Sequence, residues 1–207
     1  MVTIIDYGVG NLFSLVSSFA YIGEETKIES DPHKIVRASK LVLPGVGAFG
    51  DAAEKLRETG LGEAVTEAAR AGAPLLGICL GMQLLFDKSF EYGEHRGLGL
   101  IKGEIRPIAD VIPEGYPIPH MGWNDLCLTD LGERCPIFKN TKTGDHVYFV
   151  HSFYAAGCGK NTAATADYGA PLTAAVMSDD GGVFGTQFHP EKSGEAGLGM
   201  LRAFAAL

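Results

Sequence analysis

The chain has 207 residues, of which 46% are hydrophobic and 20% are charged, a composition typical of globular rather than disordered or fibrous proteins. That length accommodates one domain with a sizeable core. The formal net charge of -8 and the absence of any Lys or Arg run exclude the electrostatic footprint of a nucleic-acid-binding protein.

The N-terminus and the cysteines indicate a cytoplasmic setting. Met1–Asp6 has no basic segment followed by an apolar stretch, so no secretion signal is expected, and no apolar run reaches membrane-spanning length. The four cysteines are Cys79, Cys127, Cys135 and Cys158. They are too few for a disulfide scaffold and lack the spacing of a zinc site. We therefore expect a cytoplasmic protein without a metal centre.

The N-terminal half alternates short apolar strands with amphipathic helices. Three strand-to-helix passages are predicted: Val2–Asp6 into a helix between Asn11 and Gly23, Leu41–Pro44 into a helix over Asp51–Ala71 that breaks near Gly60, and Pro74–Ile78 into a helix over Leu80–Phe86. Such alternation is typical of α/β proteins with a parallel sheet.

Strands dominate after about Gly97. They are predicted at Leu98–Ile105, Ile118–Cys127, Val147–Phe153, Thr162–Ala166, Leu172–Met177 and Gly182–Gln187. Gly194–Leu207 has the apolar spacing of a final helix. The predicted fold is a single α/β domain over 1–207, an open, mostly parallel twisted sheet with helices on both faces. Its active site is expected at the carboxyl ends of the strands.

Cys79 lies where a predicted strand turns into a helix. The segment Gly77–Gly81 has the form Gly-x-nucleophile-x-Gly, in which small neighbours permit a sharp turn that exposes the nucleophile. The N-terminus of the following helix favours a thiolate and an oxyanion. An ordinary buried cysteine beside closely packed glycines explains this segment alone equally well.

His189 and Glu191 follow the last predicted strand. A histidine there can take a proton from a thiol and deliver it to a leaving amine, and a carboxylate can orient the imidazole. Taken singly, the two are more often a surface histidine and a solvated charge. Because strand ends converge in an open α/β sheet, a Cys79–His189–Glu191 triad is the sharper interpretation.

A glycine-rich loop, Pro44–Phe49, follows the second predicted strand. Its backbone N–H groups are suited to a developing negative charge, although a plain turn has the same composition. No Lys-Ser or Lys-Thr follows, so it is not a phosphate loop, and Gly8 and Gly10 lack the third glycine of a dinucleotide fingerprint. No cofactor is therefore expected.

Taken together, the segments Pro44–Gly47, Gly77–Gln83 and Phe188–Ser193 resemble the class I, or triad, glutamine amidotransferases, in matching order over essentially the whole chain. The resemblance implies that glutamine is hydrolysed through a glutamyl thioester on Cys79, with His189 as base and then acid and Glu191 as its orienter. Ammonia is the product that such enzymes pass on.

The resemblance also implies the substrate contacts. Gln83 and Glu91 would hold the glutamine head group, and the backbone of Gly47 and Leu80 would form the oxyanion hole. Glu91 lies in a predicted loop, where an exposed carboxylate is the common alternative.

Three further segments, Asp6–Asn11, Pro119–Asn124 and Tyr148–Ser152, resemble one branch of the family in particular. In that branch the partner is a (β/α)8-barrel cyclase subunit of histidine biosynthesis, and the two chains form a heterodimer. Because the chain ends one helix after the triad, we expect the synthase to be a separate chain.

By the same resemblance, Asn11, Trp123 and Lys192 lie near the interface with this partner. For Trp123 a place in the core is the alternative, since that is the commoner environment of a lone tryptophan. His120 and His151 are interpreted as structural histidines without a catalytic role.

Two rival functions remain open on the sequence alone. One is a glutaminase that serves a purine, pyrimidine or pyridoxal phosphate synthase, which the triad does not exclude. The other is a non-catalytic regulatory protein of the same fold. The segment Pro119–Asn124 and the Pro-Gly-Val-Gly form of the loop favour the histidine-pathway branch over the first rival.

Overall fold

The structure is a computed structural model that describes residues 1–207. It contains fourteen strands: β1 (Val2–Ile5), β2 (Thr26–Glu29), β3 (Leu41–Leu43), β4 (Leu75–Ile78), β5 (Phe86–Ser89), β6 (His95–Arg96), β7 (Ile101–Pro107), β8 (His120–Asp125), β9 (Cys127–Leu128), β10 (His146–His151), β11 (Phe153–Ala156), β12 (Thr162–Asp167), β13 (Pro171–Met177) and β14 (Val183–Thr186).

The seven helices are α1 (Leu12–Tyr21), α2 (Pro32–Ile35), α3 (Phe49–Glu58), α4 (Leu61–Arg70), α5 (Leu80–Leu84), α6 (Asp130–Glu133) and α7 (Gly194–Ala205). The predicted break in the long second helix is confirmed: α3 ends near Gly60, whose left-handed φ of 71° starts α4 in a new direction. No helix has the length and apolar character needed to cross a membrane.

Eight strands form one twisted sheet in the order β2-β1-β3-β4-β14-β13-β12-β9. The five strands from β2 to β14 are parallel, and the remaining neighbours pair antiparallel. Two smaller sheets, β10-β8 and β11-β7-β5-β6, complete the domain. The predicted α/β fold is confirmed, with an antiparallel half that follows from the strand-rich C-terminal sequence.

Both faces of the large sheet are covered by helices because its parallel strands are apolar on both sides. On one face α1 and α7 contribute Leu15, Phe19 and Phe204 to a buried cluster. On the opposite face α3 and α4 contribute Phe49 and Val65 to a second cluster, which β7 extends. The central strands are therefore held rigidly from two sides.

Several short strands were not predicted from the sequence. β2 carries Thr26, Lys27, Ile28 and Glu29, and only the last of these is buried, so this edge strand has no apolar signature. β5 was missed: the predicted helix extended to Phe86, whereas α5 ends at Leu84 and the strand follows without a turn residue. β6, β9 and β11 are two to four residues long and depend on their partner strands.

Two glycines of α7 differ sharply in their surroundings. A Cβ on Gly197 would lie 2.0 Å from the carbonyl oxygen of Pro190, whereas a Cβ on Gly199 would meet nothing within 4 Å. Gly197 therefore lets α7 approach the segment that carries His189 and Glu191.

These glycines give a matched pair of substitutions. Gly197→Ala would push α7 away from the backbone of Pro190 and is expected to lower the free energy of unfolding by about 1–3 kcal/mol. Gly199→Ala is expected to raise it by about 0.5–1 kcal/mol, because alanine is the better helix former. Urea denaturation midpoints measure both changes. Shifts of equal size and sign would contradict the close packing of α7 on Pro190.

Candidate functional site

Cys79 occupies a strained turn between β4 and α5. Its φ of 54° is in the left-handed region, which a non-glycine residue adopts only when the surroundings enforce it. A Cβ on Gly77 would lie 2.6 Å from the oxygen of Gly81, and a Cβ on Gly81 would lie 1.9 Å from the oxygen of Leu43. Both glycines are thus required for the turn, as the Gly-x-Cys-x-Gly pattern predicted.

The neighbouring strand positions the histidine. β4 pairs in parallel with β14, with Ile78 opposite Thr186, so both strands end at the same edge of the sheet. The backbone N–H of Cys79 donates to the oxygen of Thr186 at 2.7 Å, and the N–H of His189 donates to the oxygen of Tyr148 at 3.0 Å. Main-chain hydrogen bonds therefore fix the backbone of both residues at this edge of the sheet.

His189 and Glu191 form a buried pair. Nδ1 of His189 lies 2.8 Å from Oε1 of Glu191, and the two side chains are only 4% and 2% exposed. Because the carboxylate can only accept, Nδ1 carries the hydrogen and Nε2 is left for Cys79. Glu191 Oε2 is buried without any partner, so the imidazole is the one group that compensates its charge.

The electrostatics favour a charged histidine. Burial lowers the pKa of His189, but hydrogen bonds to Cys79 and Glu191 and the negative charges of both groups outweigh it and raise that pKa to about 9. A proton held on His189 near neutral pH therefore places a positive charge beside the sulfur of Cys79.

A cavity of about 350 Å³ opens over the sulfur. It brings together six predicted site residues, namely Gly47, Cys79, Leu80, Gln83, Glu91 and His189. Its remaining wall comes from the end of β10 and the start of β11, at Val150–Phe153, together with Val46, Tyr92 and Pro119. Glu191 lies behind His189.

The two predicted substrate-binding side chains are already engaged. Nε2 of Gln83 donates to the oxygen of Phe153 at 3.3 Å and to Oε1 of Gln187 at 3.0 Å, which leaves its own Oε1 as a free acceptor. Oε2 of Glu91 accepts from the backbone N–H of Phe49 at 2.5 Å, at the start of α3. Glu91 therefore lies in the cavity wall and also holds the end of the glycine-rich loop.

The glycine-rich loop is anchored at one end and open at the other. The hydroxyl of Tyr7 donates to the oxygen of Pro44 at 2.8 Å. A Cβ on Gly45 would lie 2.8 Å from the N atom of Gly81, so this end packs tightly against the turn at Cys79. Gly47 has a φ of 99° with open space beside it and lies exposed at the cavity mouth.

Two predicted interface residues meet at Tyr148. Trp123 is 57% exposed, so its alternative placement in the core is wrong. Its ring lies edge-on to that of Tyr148 at 6.1 Å, and Nζ of Lys192 lies 6.0 Å from the centre of the same ring. Asn11 lies apart from them at the start of α1, where its Oδ1 accepts from the backbone N–H of Ser14 at 3.3 Å.

Gln187, whose amide touches the sulfur of Cys79, was not predicted from the sequence. The available signal was a polar residue directly after a buried strand and two positions before His189. His120 and His151 are buried and hydrogen-bonded to each other at 3.0 Å, as expected of structural histidines. No group of three His, Cys, Asp or Glu side chains is arranged to hold a metal ion.

Comparison with known proteins places this geometry in a family. The family described as "Glutamine amidotransferase class-I" matches residues 3–206. "Imidazole glycerol phosphate synthase subunit HisH" of Wolinella succinogenes is 46% identical over 209 residues, which cover 100% of both chains. The protein of that name from Lacticaseibacillus casei is 48% identical and covers 99% of this chain and 94% of its own.

Solved structures agree at the level of the fold. A crystal structure described as a glutamine amidotransferase superposes with a TM-score of 0.74 at 21% identity and covers 100% of both chains. PurLQS from Thermotoga maritima gives a TM-score of 0.73 at 21% identity, with coverages of 98% and 96%. With full-length identities of 46% and 48% to the curated relatives, the chain belongs to the class-I glutamine amidotransferase family, in its branch of imidazole glycerol phosphate synthase HisH subunits.

Proposed function

We propose that this chain, over its whole length 1–207, is the glutaminase domain and subunit of imidazole glycerol phosphate synthase. The observation that carries the proposal is the convergence of Cys79 with the His189–Glu191 pair at the ends of two adjacent parallel strands, under a cavity of about 350 Å³. The names of its full-length relatives support the assignment to this synthase, and the triad geometry supports the hydrolysis of glutamine.

The reaction divides into two displacements. The Cys79 thiolate attacks the side-chain amide carbon of glutamine, and the C–N bond breaks as His189 gives its proton to the leaving nitrogen, so ammonia and a glutamyl thioester form. His189 then takes a proton from water, whose oxygen attacks the thioester carbon and releases glutamate and the thiolate. Glu191 holds the imidazole in one tautomer throughout.

The oxyanion of each tetrahedral intermediate needs N–H donors near the sulfur. We assign this role to the backbone of Gly47 and Leu80, because both line the cavity and neither N–H group donates a hydrogen bond within the chain. Removal of one such donor typically costs a factor of about 10²–10³ in rate.

The substrate head group is assigned to Gln83 and Glu91. The free Oε1 of Gln83 is an acceptor for an ammonium or amide N–H. The carboxylate of Glu91 is a charge-assisted acceptor for the α-ammonium of glutamine, while its contact with Phe49 keeps it in the cavity wall.

The relatives are named as subunits, which implies a partner chain. We propose that the partner is a (β/α)8-barrel cyclase subunit, which forms a heterodimer with this chain in the cytoplasm. The cyclase uses the ammonia to make imidazole glycerol phosphate and an aminoimidazole carboxamide ribonucleotide. Ammonia is mostly protonated in water near neutral pH, so a sealed passage between the two chains preserves its nucleophilic form.

The exposed ring of Trp123, with Tyr148 and Lys192 beside it, is the anchor we assign to that interface. Trp and Tyr are enriched among the residues that dominate binding energies at interfaces. Asn11, at the start of α1, is a further residue of the proposed contact. It lies at the carboxyl edge of the sheet because α1 follows β1.

Substitution of Cys79 tests the nucleophile. Cys79→Ala should abolish glutaminase activity, because no other cysteine lines the cavity, while ammonia-dependent synthesis by the complex with the cyclase should persist. Cys127→Ala is the matched control, since Cys127 is exposed on β9 and should be dispensable. Glutaminase activity that survived in Cys79→Ala would disprove the assignment.

A further prediction concerns the raised pKa of His189. Glu191→Gln removes one of the two negative groups that raise it, so the imidazole should titrate at a lower pH than in the wild type, where the pKa is about 9. By analogy with other triads, kcat should fall by about 10²- to 10⁴-fold. NMR titration of labelled histidine, assigned with His189→Asn, measures the shift. An unchanged titration would show that Glu191 does not act on the imidazole.

Another prediction concerns the partner. Glutamine hydrolysis should rise strongly when the cyclase and its nucleotide ligand are added, and Trp123→Ala should raise the cyclase concentration needed for half-stimulation by about 30-fold, as expected for a hot-spot loss near 2 kcal/mol. Tyr21→Ala is the control, because Tyr21 is 71% exposed at the opposite end of α1 from Asn11. Activity without any response to the cyclase would assign the glutaminase to another synthase.

A further inference from the structure

Gln187 is a fully buried polar residue in contact with the proposed nucleophile. It follows β14 directly and is 0% exposed. Its backbone N–H donates to the oxygen of Ala174 at 2.8 Å, so the main chain is fixed. Its side-chain amide lies between Gln83 and Cys79, with Nε2 at 3.7 Å from the sulfur.

The orientation of the Gln187 amide is determined by the carbonyl group of Phe153, which acts on it through Gln83. The oxygen of Phe153 can only accept, so the group of Gln83 that faces it at 3.3 Å is the NH₂. The second hydrogen of that NH₂ then points to Gln187 at 3.0 Å, where the matching atom is Oε1. Nε2 of Gln187 is therefore the group that faces Cys79, and it presents a hydrogen to the sulfur.

The carbonyl of Phe153 is itself held by a pair of histidines. Nδ1 of His151 donates to it at 2.7 Å, which makes Nε2 of His151 an acceptor for Nδ1 of His120 at 3.0 Å. Nε2 of His120 is then the acceptor for the NH₂ of Asn124 at 3.4 Å. Burial lowers the pKa of both histidines to about 4, so each stays neutral and keeps this tautomer near pH 7.

The polar groups around the sulfur of Cys79 determine what a hydrogen-bond donor contributes there. Apart from His189 and Gln187, the polar atom near the sulfur is the oxygen of Val150 at 3.9 Å, which can only accept and so favours the neutral thiol. Gln187 opposes that preference, because an N–H group directed at sulfur stabilises the thiolate more than the thiol.

We propose that Gln187 is a further catalytic residue, which donates a hydrogen bond to the sulfur of Cys79 and stabilises its thiolate. The inference rests on the proposed function, since it takes Cys79 as the nucleophile. The thiolate is present twice in the reaction, before it attacks the amide and when it leaves the thioester. Gln187 therefore increases the fraction of ionised nucleophile and assists the leaving group.

A more stable thiolate is a weaker nucleophile, but this loss is partial. Nucleophilicity falls with a Brønsted coefficient of only about 0.4–0.5, so it decreases by less than the thiolate is stabilised, and a stabilised thiolate is also the better leaving group. A hydrogen bond to a charged group contributes about 1.5–3 kcal/mol, which corresponds to an effect of about 10- to 140-fold.

The test measures thiolate formation directly. Alkylation of Cys79 by iodoacetamide is followed against pH in a Cys127→Ser background, because Cys127 is the exposed cysteine and would react in parallel. Gln187→Met keeps the length of the side chain without the donor. It should shift the alkylation midpoint to higher pH and lower kcat about tenfold or more, with a much smaller change in KM.

Two further variants separate this role from a loss of packing. Gln187→Glu keeps the acceptor for Gln83 but replaces the donor with a carboxyl group, and it should also raise the alkylation midpoint. Asn161→Leu removes a buried amide that donates to the oxygen of Met177, away from the cavity. It should lower stability and leave the alkylation midpoint unchanged.

The outcomes distinguish a failure of the role assigned to Gln187 from a failure of the proposed function. Wild-type alkylation midpoints and kcat in both Gln187 variants would overturn the inference, as would an equal shift in Asn161→Leu. If those results accompany an inactive Cys79→Ala enzyme, the proposed function stands and only the role of Gln187 fails. If Cys79→Ala keeps its glutaminase activity, the proposed function fails, and the alkylation profile still reports whether Gln187 stabilises the thiolate.

Discussion

The parallel pairing of β4 with β14 is the constraint on which the site depends. The strands end in register, with Ile78 opposite Thr186, so the turn at Cys79 and the segment that carries His189 leave the sheet side by side. Gly185 lets α5 pack closely on β14, because a Cβ there would lie 2.6 Å from the side chain of Met82. The two apolar clusters on the faces of the sheet hold the strands in this arrangement.

The buried charges follow from this arrangement. Glu191 loses most of its hydration and has one partner, His189, so the imidazole must carry a proton to compensate the carboxylate. That proton places positive charge beside the sulfur of Cys79, and the amide N–H of Gln187 is a second source of positive potential there. The unpartnered N–H groups of Gly47 and Leu80 leave the same cavity ready for an oxyanion. A strained turn and an uncompensated carboxylate are thus stabilised by the surrounding fold.

The sequence predicted the elements that have strong local patterns. It missed the elements and contacts that depend on neighbouring strands. β4 and β14 are apolar runs next to glycines, and their positions are confirmed. β2 was missed because an exposed edge strand with lysine and glutamate shows neither an apolar run nor an alternation of apolar and polar residues. The motifs at Cys79 and His189 predicted residues that the structure brings into one cavity. Gln187 was missed because its contact with Cys79 depends on strand register, which no local pattern encodes.

The most direct measurement of the central claim is covalent labelling with a glutamine analogue that carries an electrophile at the side-chain carbonyl position, in the presence of the cyclase. Peptide mass spectrometry of the labelled chain should find a single modified residue, Cys79, and excess glutamine should protect it. Protection shows that the label and glutamine compete for the same cavity. Labelling at another residue, or labelling of Cys79 that glutamine does not reduce, would contradict the assignment of Cys79 as the residue that attacks glutamine.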